Sequence, residues 1–237
     1  MPRCFRPRTT ILPAAQQELW PHLRPAAAAS FVLYGGTAIA LYLGHRTSVD
    51  FDFFAAEPLD KARLRTAIPL LADAAILQDE VNTLAASLAM PGGAVKLSFF
   101  GGIGFGRIND PLQTVDGTLL VASPHDLMAT KLKAILDRAE ARDYRDIAAL
   151  LRHGVSLAVG LGAFKAMFNG EPASALRALG YFEDGDLPSV EQVDRELLTA
   201  ARDRIREVPS VAIRAGTLAI PTGHCSDIIE VDAGIDL

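Results

Sequence analysis

The stretch from Phe31 to Phe54 constrains the fold of this 237-residue chain more than any other part of it. It reads FVLYGGTAIALYLGHRTSVDFDFF and holds two apolar runs that predict strands, Phe31 to Tyr34 and Val49 to Phe54. Between them lie a Gly-Gly turn and a short helical pattern, Thr37 to Leu43. The stretch therefore predicts a strand, a tight turn, a helix and a second strand in direct succession.

The second predicted strand carries two carboxylates on one face. Residues two apart on a strand point to the same side, so Asp50 and Asp52 share a face with Ser48. The apolar residues between them are predicted to face the core: Val49, Phe51 and Phe53. Neighbouring carboxylates repel each other, which raises a pKa or requires a cation between them. A hard divalent ion with oxygen ligands meets that requirement, while the alternative is an acidic, solvated strand face.

Gly35 and Gly36 follow the first strand at the point where the helical pattern begins. The start of a helix presents N–H groups without helical partners, and such groups suit a phosphate. Thr37 could contact a phosphate oxygen at the same place. The alternative is an ordinary strand-to-helix turn that needs glycine geometry. Carboxylates suited to a metal beside a turn suited to phosphate indicate chemistry on a nucleotide.

These features resemble the nucleotidyltransferase superfamily with the DNA polymerase β-like catalytic fold. Within it, GGTAIALYLGHRTSVDFDFF is most similar to the AbiEii/AbiGii toxin family. A second block, LMATKLKAILDRAEARDYRDIAALL from Leu127 to Leu151, is similar to that family's Lys…Arg…Arg-Asp-x-x-Asp segment. The resemblance covers roughly residues 28 to 152. It implies an α+β fold, with a mixed sheet and flanking helices followed by a helical C-terminal region.

The resemblance also implies a set of site residues. The catalytic residues are expected to be Asp50, Asp52, Lys131 and Asp143. Asp50 and Asp52 would hold Mg²⁺ or Mn²⁺. The nucleotide-binding residues are expected to be Gly35, Gly36, Thr37, Arg46, Ser48 and Lys131. Arg46 could pair with phosphate or orient Asp52 through a bidentate contact, and it could equally be a solvated loop arginine.

The lysine and the acids of the second block are ambiguous by chemistry alone. Asp143 and Asp146 are three apart and share one helix face. Arginines crowd the same region, so a solvated amphipathic face explains it as well, and only the family pattern gives Lys131 and Asp143 a role. Asp146 could instead be structural. We expect Lys131 to be partly exposed and to face the Asp pair across a cleft, so its removal should cost little stability.

One departure from the superfamily concerns Ser98. Enzymes of the superfamily commonly place a third carboxylate on a later strand facing the Asp pair. Alternation along Val95 to Phe100 puts Ser98 and Lys96 on the polar face, so a serine stands where an acid is expected. Serine is a weak metal ligand and a poor general base. Asp110 and Asp116 are other acids that could supply the missing third carboxylate, but their spacing in the sequence does not indicate that either one does.

Two functions therefore stay open. The first is metal-dependent transfer of a nucleoside monophosphate from an NTP to an acceptor hydroxyl, with release of pyrophosphate. In the resembled family the acceptor is often an RNA end, such as that of tRNA, or a protein, and the enzyme often acts as a toxin beside a separate antitoxin. The second is a catalytically weak or inactive nucleotide- or protein-binding module on the same scaffold.

The chain organisation follows from the change in patterning near residue 122. Strands and helices mix before that point and helices follow it. We predict a catalytic core over residues 1–122, a helical region completing the active-site cleft over 123–210, and a loosely attached tail over 211–237. The segment FGGIGFGRINDP, Phe100 to Pro111, fits neither GxGxxG nor P-loop spacing and is predicted to be a surface loop.

Composition excludes several classes of protein. The net charge of −5 does not fit a protein that coats nucleic acid. No apolar run reaches about 18 residues, so no membrane span is expected. Cys4 and Cys225 are the only cysteines and lie near opposite ends of the sequence. We therefore expect reduced thiols and a cytoplasmic location.

Overall fold

A computed structural model describes residues 1–229, which form two compact units. Unit 1 comprises Met1–Gly106, Asp110–Ser123 and residues 215 to 229. Unit 2 comprises Arg107–Asn109 and Pro124–Arg214. The remainder of the predicted tail, residues 230–237, lies outside the described residues.

Unit 1 is built on a mixed sheet that has nine strands within the described residues. The strands are β1 Arg3–Phe5, β2 Val32–Tyr34, β3 Asp50–Phe54, β4 Ala75–Glu80, β5 Thr83–Met90, β6 Gly93–Phe100, β7 Leu112–Thr114, β8 Leu120–Val121 and β9 Asp227–Ile229. Their order across the sheet is β4-β5-β6-β3-β2-β8-β7-β1-β9. Strand β3 runs antiparallel to β2 and parallel to β6. This mixed sheet with helices confirms the predicted α+β class.

Unit 1 has four α-helices within the described residues, and two of them pack directly on the sheet. The four helices are α1 Ala14–Leu19, α2 Arg24–Ala28, α3 Gly35–Leu43 and α4 Lys61–Ala67. Helix α3 packs against β2 and β3, and α1 packs against β5 and β6. The α-helical geometry breaks after α1 and after α4, where the 3-10 turns Trp20–Leu23 and Pro69–Ala72 follow. Proline explains both breaks, because Pro21 and Pro69 have no N–H to donate.

Strand β3 carries the core on one side. Phe51 and Phe53 are fully buried, and the Phe53 ring stacks on Phe99 with a centroid distance of 5.1 Å. The prediction that Val49 also faces the core is wrong, since Val49 is 59% exposed. The strand begins at Asp50, so the alternation does not extend back to Val49.

The last described residues, 215–229, belong to unit 1. Strand β9 pairs in parallel with β1, and Cys225 forms a disulfide with Cys4. The Gln113 side-chain amide donates to the Gly223 carbonyl (2.8 Å) and accepts from the Gly223 N–H (3.0 Å). Residues 215–229 are therefore attached rather than loose, and the cysteines are bonded rather than reduced. A separation of 221 residues concealed that both segments join the same edge of the sheet.

Unit 2 is helical. Its helices are α5 Pro124–Asp137, α6 Ala141–Arg152, α7 Leu157–Phe168, α8 Pro172–Ala178 and α9 Gln192–Asp203. Helix α5 packs against α6, α7 and α8. A Cβ at Gly160 would collide with Met128, so this glycine allows α7 to lie directly on α5. No helix within residues 1–229 is long and apolar enough to cross a membrane.

Candidate active site

The two carboxylates of β3 lie on its partly exposed face. Asp50 and Asp52 alternate with the fully buried Phe51 and Phe53, as the sequence predicted. Both Asp residues are partly exposed, so a cation from solution can reach this face of the strand. Within the described residues, no three His, Cys, Asp or Glu side chains are arranged to hold a metal ion. A metal site here would therefore rest on this carboxylate pair and on oxygens from a substrate or water.

The Gly-Gly turn lies directly against Asp52. Tyr34 pairs with Asp52 in the antiparallel register of β2 and β3, so Gly35 begins α3 beside β3. Gly35 has a φ of +76°, and a Cβ there would approach Asp52 Oδ2 to 2.8 Å. A Cβ at Gly36 would collide with Arg46 Nη2 and lie 3.1 Å from Ser48 Oγ. Gly35 therefore needs glycine for its backbone conformation and its close approach to Asp52, whereas Gly36 lies against the flexible end of Arg46.

Thr37 and Ser48 fasten the start of α3 to β3. Thr37 Oγ1 lies 2.9 Å from Ser48 Oγ, and Thr37 also hydrogen-bonds the backbone carbonyl of Asp50. Thr37 is only 1% exposed. These bonds fix the glycine turn relative to the carboxylates. Whether either hydroxyl also contacts a phosphate stays a prediction.

Arg46 extends over the same turn. Its Nη1 donates to the Thr47 carbonyl at 3.0 Å, and its Nη2 lies where a side chain at Gly36 would be. The side chain is partly exposed. A guanidinium beside a helix start adds positive charge at the place where a phosphate would bind. The structure thus brings together the seven predicted site residues of unit 1: Gly35, Gly36, Thr37, Arg46, Ser48, Asp50 and Asp52.

Ser98 lies beside Asp52. In the parallel register of β3 and β6, Asp52 is opposite Ser98 and Asp50 is opposite Lys96. Paired residues of neighbouring strands share a face. Ser98 is 2% exposed, whereas Lys96 is exposed. A buried hydroxyl therefore occupies the position at which the sequence analysis expected an acid.

Asp116 does not replace that acid. Its carboxylate accepts hydrogen bonds from Trp20 Nε1 (2.7 Å) and Thr114 Oγ1 (2.6 Å) in the turn between β7 and β8. Burial opposes ionisation of Asp116, but these hydrogen bonds prevail and hold its pKa below the ordinary range. The turn precedes β8, whose Leu120 pairs with Val32, so it lies toward the opposite end of β2 from Asp52. Asp116 stabilises a turn.

The predicted residues of unit 2 form a separate buried cluster. Lys131 Nζ of α5 lies 2.6 Å from Asp143 Oδ1 and 2.7 Å from Asp146 Oδ2, both on α6. Arg138 Nε donates to Asp143 Oδ2 at 2.8 Å. Both carboxylates are fully buried, and Lys131 is 5% exposed. We call these four residues the unit 2 ion cluster.

The ion cluster corrects the expected exposure of Lys131 and does not test the expected roles of Lys131 and Asp143 in nucleotide binding. Burial opposes ionisation of Asp143, but Arg138 and Lys131 outweigh it and hold the Asp143 pKa below its usual value. The prediction of a partly exposed Lys131 is wrong, because that position on α5 faces the two carboxylates of α6. Asp146 pairs with Lys131. That Lys131 and Asp143 serve an NTP, and that Lys131 faces the Asp pair of the other unit, stay predictions.

Sequence reasoning missed an aromatic contribution to the carboxylate face. Phe54 follows Asp52 by two residues, so strand alternation alone could have placed it on that face. Phe105 packs against Phe54 from the glycine-rich loop, with a centroid distance of 6.1 Å. No spacing in the sequence indicates that contact, because irregular loops have no periodicity.

Comparison with known proteins identifies the family of this chain. The family model for the nucleotidyl transferase AbiEii toxin of type IV toxin–antitoxin systems matches residues 21–210. The chain belongs to the AbiEii family. The matched range includes both the Asp50–Asp52 strand and the unit 2 ion cluster. An uncharacterised protein of Aquifex aeolicus (strain VF5) is 30% identical over 168 residues, which span 69% of this chain and 79% of the relative. The family is one of nucleotidyl transferase toxins that belong to type IV toxin–antitoxin systems.

Proposed function

We propose that this AbiEii-family protein binds an NTP with Mg²⁺ or Mn²⁺ and transfers the nucleoside monophosphate to an acceptor hydroxyl. The observation that carries the proposal is the close approach of Gly35, at the start of the glycine turn, to the partly exposed Asp52, which shares a strand face with Asp50. Carboxylate oxygens suit a hard divalent ion, and the N–H groups at the start of α3 suit phosphate. The two groups lie close enough to act on one triphosphate.

The donor set fits one Mg²⁺ ion. Mg²⁺ in nucleotide enzymes is usually held by one or two carboxylates together with substrate phosphates and water, and Asp50 with Asp52 supplies the protein part. The bound ion would neutralise phosphate charge as the reaction proceeds. A second ion would call for a further carboxylate on this face, where Ser98 stands opposite Asp52. The proposal therefore rests on a single protein-held metal.

The transfer step has a simple balance. The acceptor oxygen forms a bond to the α-phosphorus of the NTP, and the bond from that phosphorus to the oxygen bridging the β-phosphate breaks. Pyrophosphate leaves with the bonding electron pair. The hydroxyl proton passes to a carboxylate of the strand face or to water, since the Ser98 hydroxyl is a poor base. Positioning and charge stabilisation supply most of the rate enhancement in such reactions.

The chain's own residues divide this work. The backbone N–H groups at Gly36 and Thr37 would bind phosphate oxygens, and Arg46 would add charge-assisted hydrogen bonds. The bonds among Thr37, Ser48 and the Asp50 carbonyl hold the turn in place. The resemblance also assigns phosphate binding to Lys131 and an assisting role to Asp143. Those roles belong to the same proposal, and they require Lys131 to share its ion pairs with the substrate.

The acceptor is proposed to be an RNA end, such as that of tRNA, or a protein hydroxyl, and the toxin would be controlled by a separate antitoxin. A second candidate is a nucleotide- or protein-binding module with little or no turnover. The buried Ser98 beside Asp52 favours it, because no third carboxylate assists the acceptor hydroxyl. Both candidates use the same nucleotide site, and they differ in whether a nucleoside monophosphate is transferred to an acceptor.

A labelling experiment separates them. The protein is incubated with Mg²⁺, each α-labelled NTP in turn, and total cell RNA or total cell protein. Covalent label should appear on the acceptor with one or more NTPs, and Asp50→Asn combined with Asp52→Asn should abolish it. Asp73→Asn, an exposed acid of unit 1, is the matched control and should retain transfer. NTP binding without label supports the binding module, and absence of NTP binding contradicts both.

A further inference from the structure

The carboxylate face of the sheet continues into aromatic side chains. Phe54 lies two residues beyond Asp52 on β3, and therefore on the same face about 7 Å further along. Phe54 is opposite Phe100 in the register of β3 and β6. The polar half of this face thus borders directly on an aromatic half.

The rings of this aromatic half contact one another. Phe54 stacks on Tyr34 with a centroid distance of 4.9 Å and an interplanar angle of 18°. Phe105 meets Phe54 edge-on at 6.1 Å and Tyr34 edge-on at 5.9 Å. Phe100 meets Phe54 edge-on at 5.2 Å. We call Phe54, Phe100 and Phe105, backed by Tyr34, the aromatic shelf.

The two faces of the sheet use their aromatic residues differently. On the core face, Phe51, Phe53 and Phe99 are fully buried. On the carboxylate face, Phe54, Phe100 and Phe105 all remain partly exposed, and only the backing Tyr34 is buried. Packing alone explains the core face. The carboxylate face instead keeps apolar ring surface in contact with solvent beside a polar site.

The loop that supplies Phe105 is attached to β3. Gly102 N donates to the Glu57 carbonyl at 2.7 Å, and Ile103 N donates to the Ala55 carbonyl at 3.0 Å. Nothing lies within 4 Å of a Cβ placed at Gly104. Phe105 is therefore carried by a loop whose beginning is fixed just beyond Phe54 and which has open space around Gly104.

We propose that the aromatic shelf stacks the nucleobase of the NTP whose phosphates are held at the Gly35–Gly36 turn. This inference rests on the proposed function and adds a base subsite to it. A base has a flat π-surface, and stacking on exposed aromatic side chains is a common way to bind one. The shelf adjoins Asp52, so a single nucleotide can lie with its phosphates at the turn and its base on the rings. Since every base has such a surface, stacking here contributes affinity more than base choice.

Binding measurements on two ligands test the shelf. Calorimetry would give the Kd of each Mg²⁺–NTP and of Mg²⁺–tripolyphosphate, which has phosphates and no base. Phe105→Ala should weaken NTP binding about 5- to 150-fold and leave tripolyphosphate binding unchanged, since only stacking is lost. Phe105→Trp should retain NTP affinity. Ile103→Ala is the matched control in the same loop and should bind both ligands normally.

A second variant and a melting curve protect this test against misfolding. Phe54→Leu keeps apolar volume but removes the ring, so it should weaken NTP binding while its melting temperature stays near that of the parent. Unchanged NTP affinity in both variants overturns the proposal. Equal losses for NTP and tripolyphosphate also overturn it, because they indicate a disturbed turn. Loss of affinity for an RNA oligonucleotide alone would assign the rings to the acceptor base and overturn the NTP assignment.

The same measurements also distinguish a failure of the aromatic shelf proposal from a failure of the proposed function on which it rests. A parent protein that binds neither NTP nor tripolyphosphate contradicts the proposed function, and the shelf falls with it. A parent that binds both with equal affinity retains the phosphate site and contradicts the shelf alone, because the base then adds nothing.

Discussion

Two pairs of aspartates in this chain have opposite surroundings. Asp50 and Asp52, on a strand of unit 1, are partly exposed beside a glycine turn. Asp143 and Asp146, on a helix of unit 2, are fully buried against Lys131. Carboxylates removed from water need a cation within the protein, because an uncompensated buried charge is very costly. Carboxylates that solvent reaches can take a cation from solution together with a substrate, so burial separates two patterns that look alike in sequence.

The largest effect should come from removing the cation of the buried pair. Lys131→Met leaves two fully buried carboxylates without their ammonium partner, and it should lower the free energy of unfolding by about 3–5 kcal/mol. Urea unfolding at neutral pH measures this. Adding Asp146→Asn should restore part of the loss, since one buried charge is then gone.

The matched control is Lys133→Met on the same helix. Lys133 pairs with Asp137 through side chains that are 41% and 56% exposed, and such a pair contributes little. The change at Lys133 should stay within about 0.5 kcal/mol of the parent. Equal effects of the two substitutions would mean that the buried pair does not depend on Lys131.

The two units also differ in the long-range interaction that stabilises each of them. Unit 2 has its ion cluster, whereas the ends of unit 1 are joined by the Cys4–Cys225 disulfide. Reduction should lower the free energy of unfolding by about 2–4 kcal/mol, because the unfolded chain regains conformations that the cross-link excludes. Cys225→Ala should show the same loss without reductant and no further response to it. An equal response of this variant to reductant would assign the effect to something other than the disulfide.

Much of this comparison could be predicted from the sequence. Alternation on β3 placed Asp50 and Asp52 on one face, and the Gly-Gly turn placed Gly35 and Gly36 beside them. Local patterning could not reveal the disulfide, because Cys4 and Cys225 are 221 residues apart and come together only where β1 pairs with β9. It also could not reveal the burial of Lys131, which depends on how α5 packs against α6.

The partly exposed pair can be probed by adding a third carboxylate. Ser98→Asp places an acid beside Asp52, and the 2% exposure of Ser98 means that the new group is also buried. In metal-free buffer the substitution should cost about 1–3 kcal/mol through desolvation and like-charge repulsion. Mg²⁺ should recover part of this loss and bind more tightly than to the parent.

Combining Ser98→Asp with Asp50→Asn and Asp52→Asn provides the control. The desolvation cost should remain in this background, while the recovery by Mg²⁺ should disappear because the other ligands are gone. Ser98→Ala keeps the position small and should leave Mg²⁺ binding at the parent level. A Mg²⁺ recovery that is the same in both backgrounds would place Ser98 away from the metal site.

Acid pH offers a smaller and graded test of the buried pair. The Asp143 pKa is held below its ordinary value of 3.8, so the unfolded state binds more protons just below that pH. The stabilisation from Asp143 is therefore complete above about pH 5 and lost as the pH falls through the folded-state pKa. Asp143→Asn should be less stable than the parent at pH 5, and the difference should narrow toward pH 3.

Asp79 is the control for this pH dependence. Its pKa is also lowered, by Lys61 and against a smaller effect of burial, but its side chain is 44% exposed. The free energy of unfolding of Asp79→Asn should therefore differ much less from that of the parent at pH 5 than that of Asp143→Asn does. If the difference in free energy of unfolding between Asp143→Asn and the parent does not change with pH, the buried carboxylate of Asp143 is not charged in the folded protein.

The central claim is that Asp50 and Asp52 hold a divalent cation while the fold does not need them. The most direct measurement is the melting temperature with and without Mg²⁺ and NTP for the parent, the Asp50→Asn/Asp52→Asn variant and the Asp73→Asn control. The parent and the control should gain a few degrees from Mg²⁺ with NTP. The double variant should gain nothing, and in metal-free buffer it should melt at or slightly above the parent temperature because carboxylate repulsion is removed. An unchanged response to Mg²⁺ in the double variant would contradict the claim.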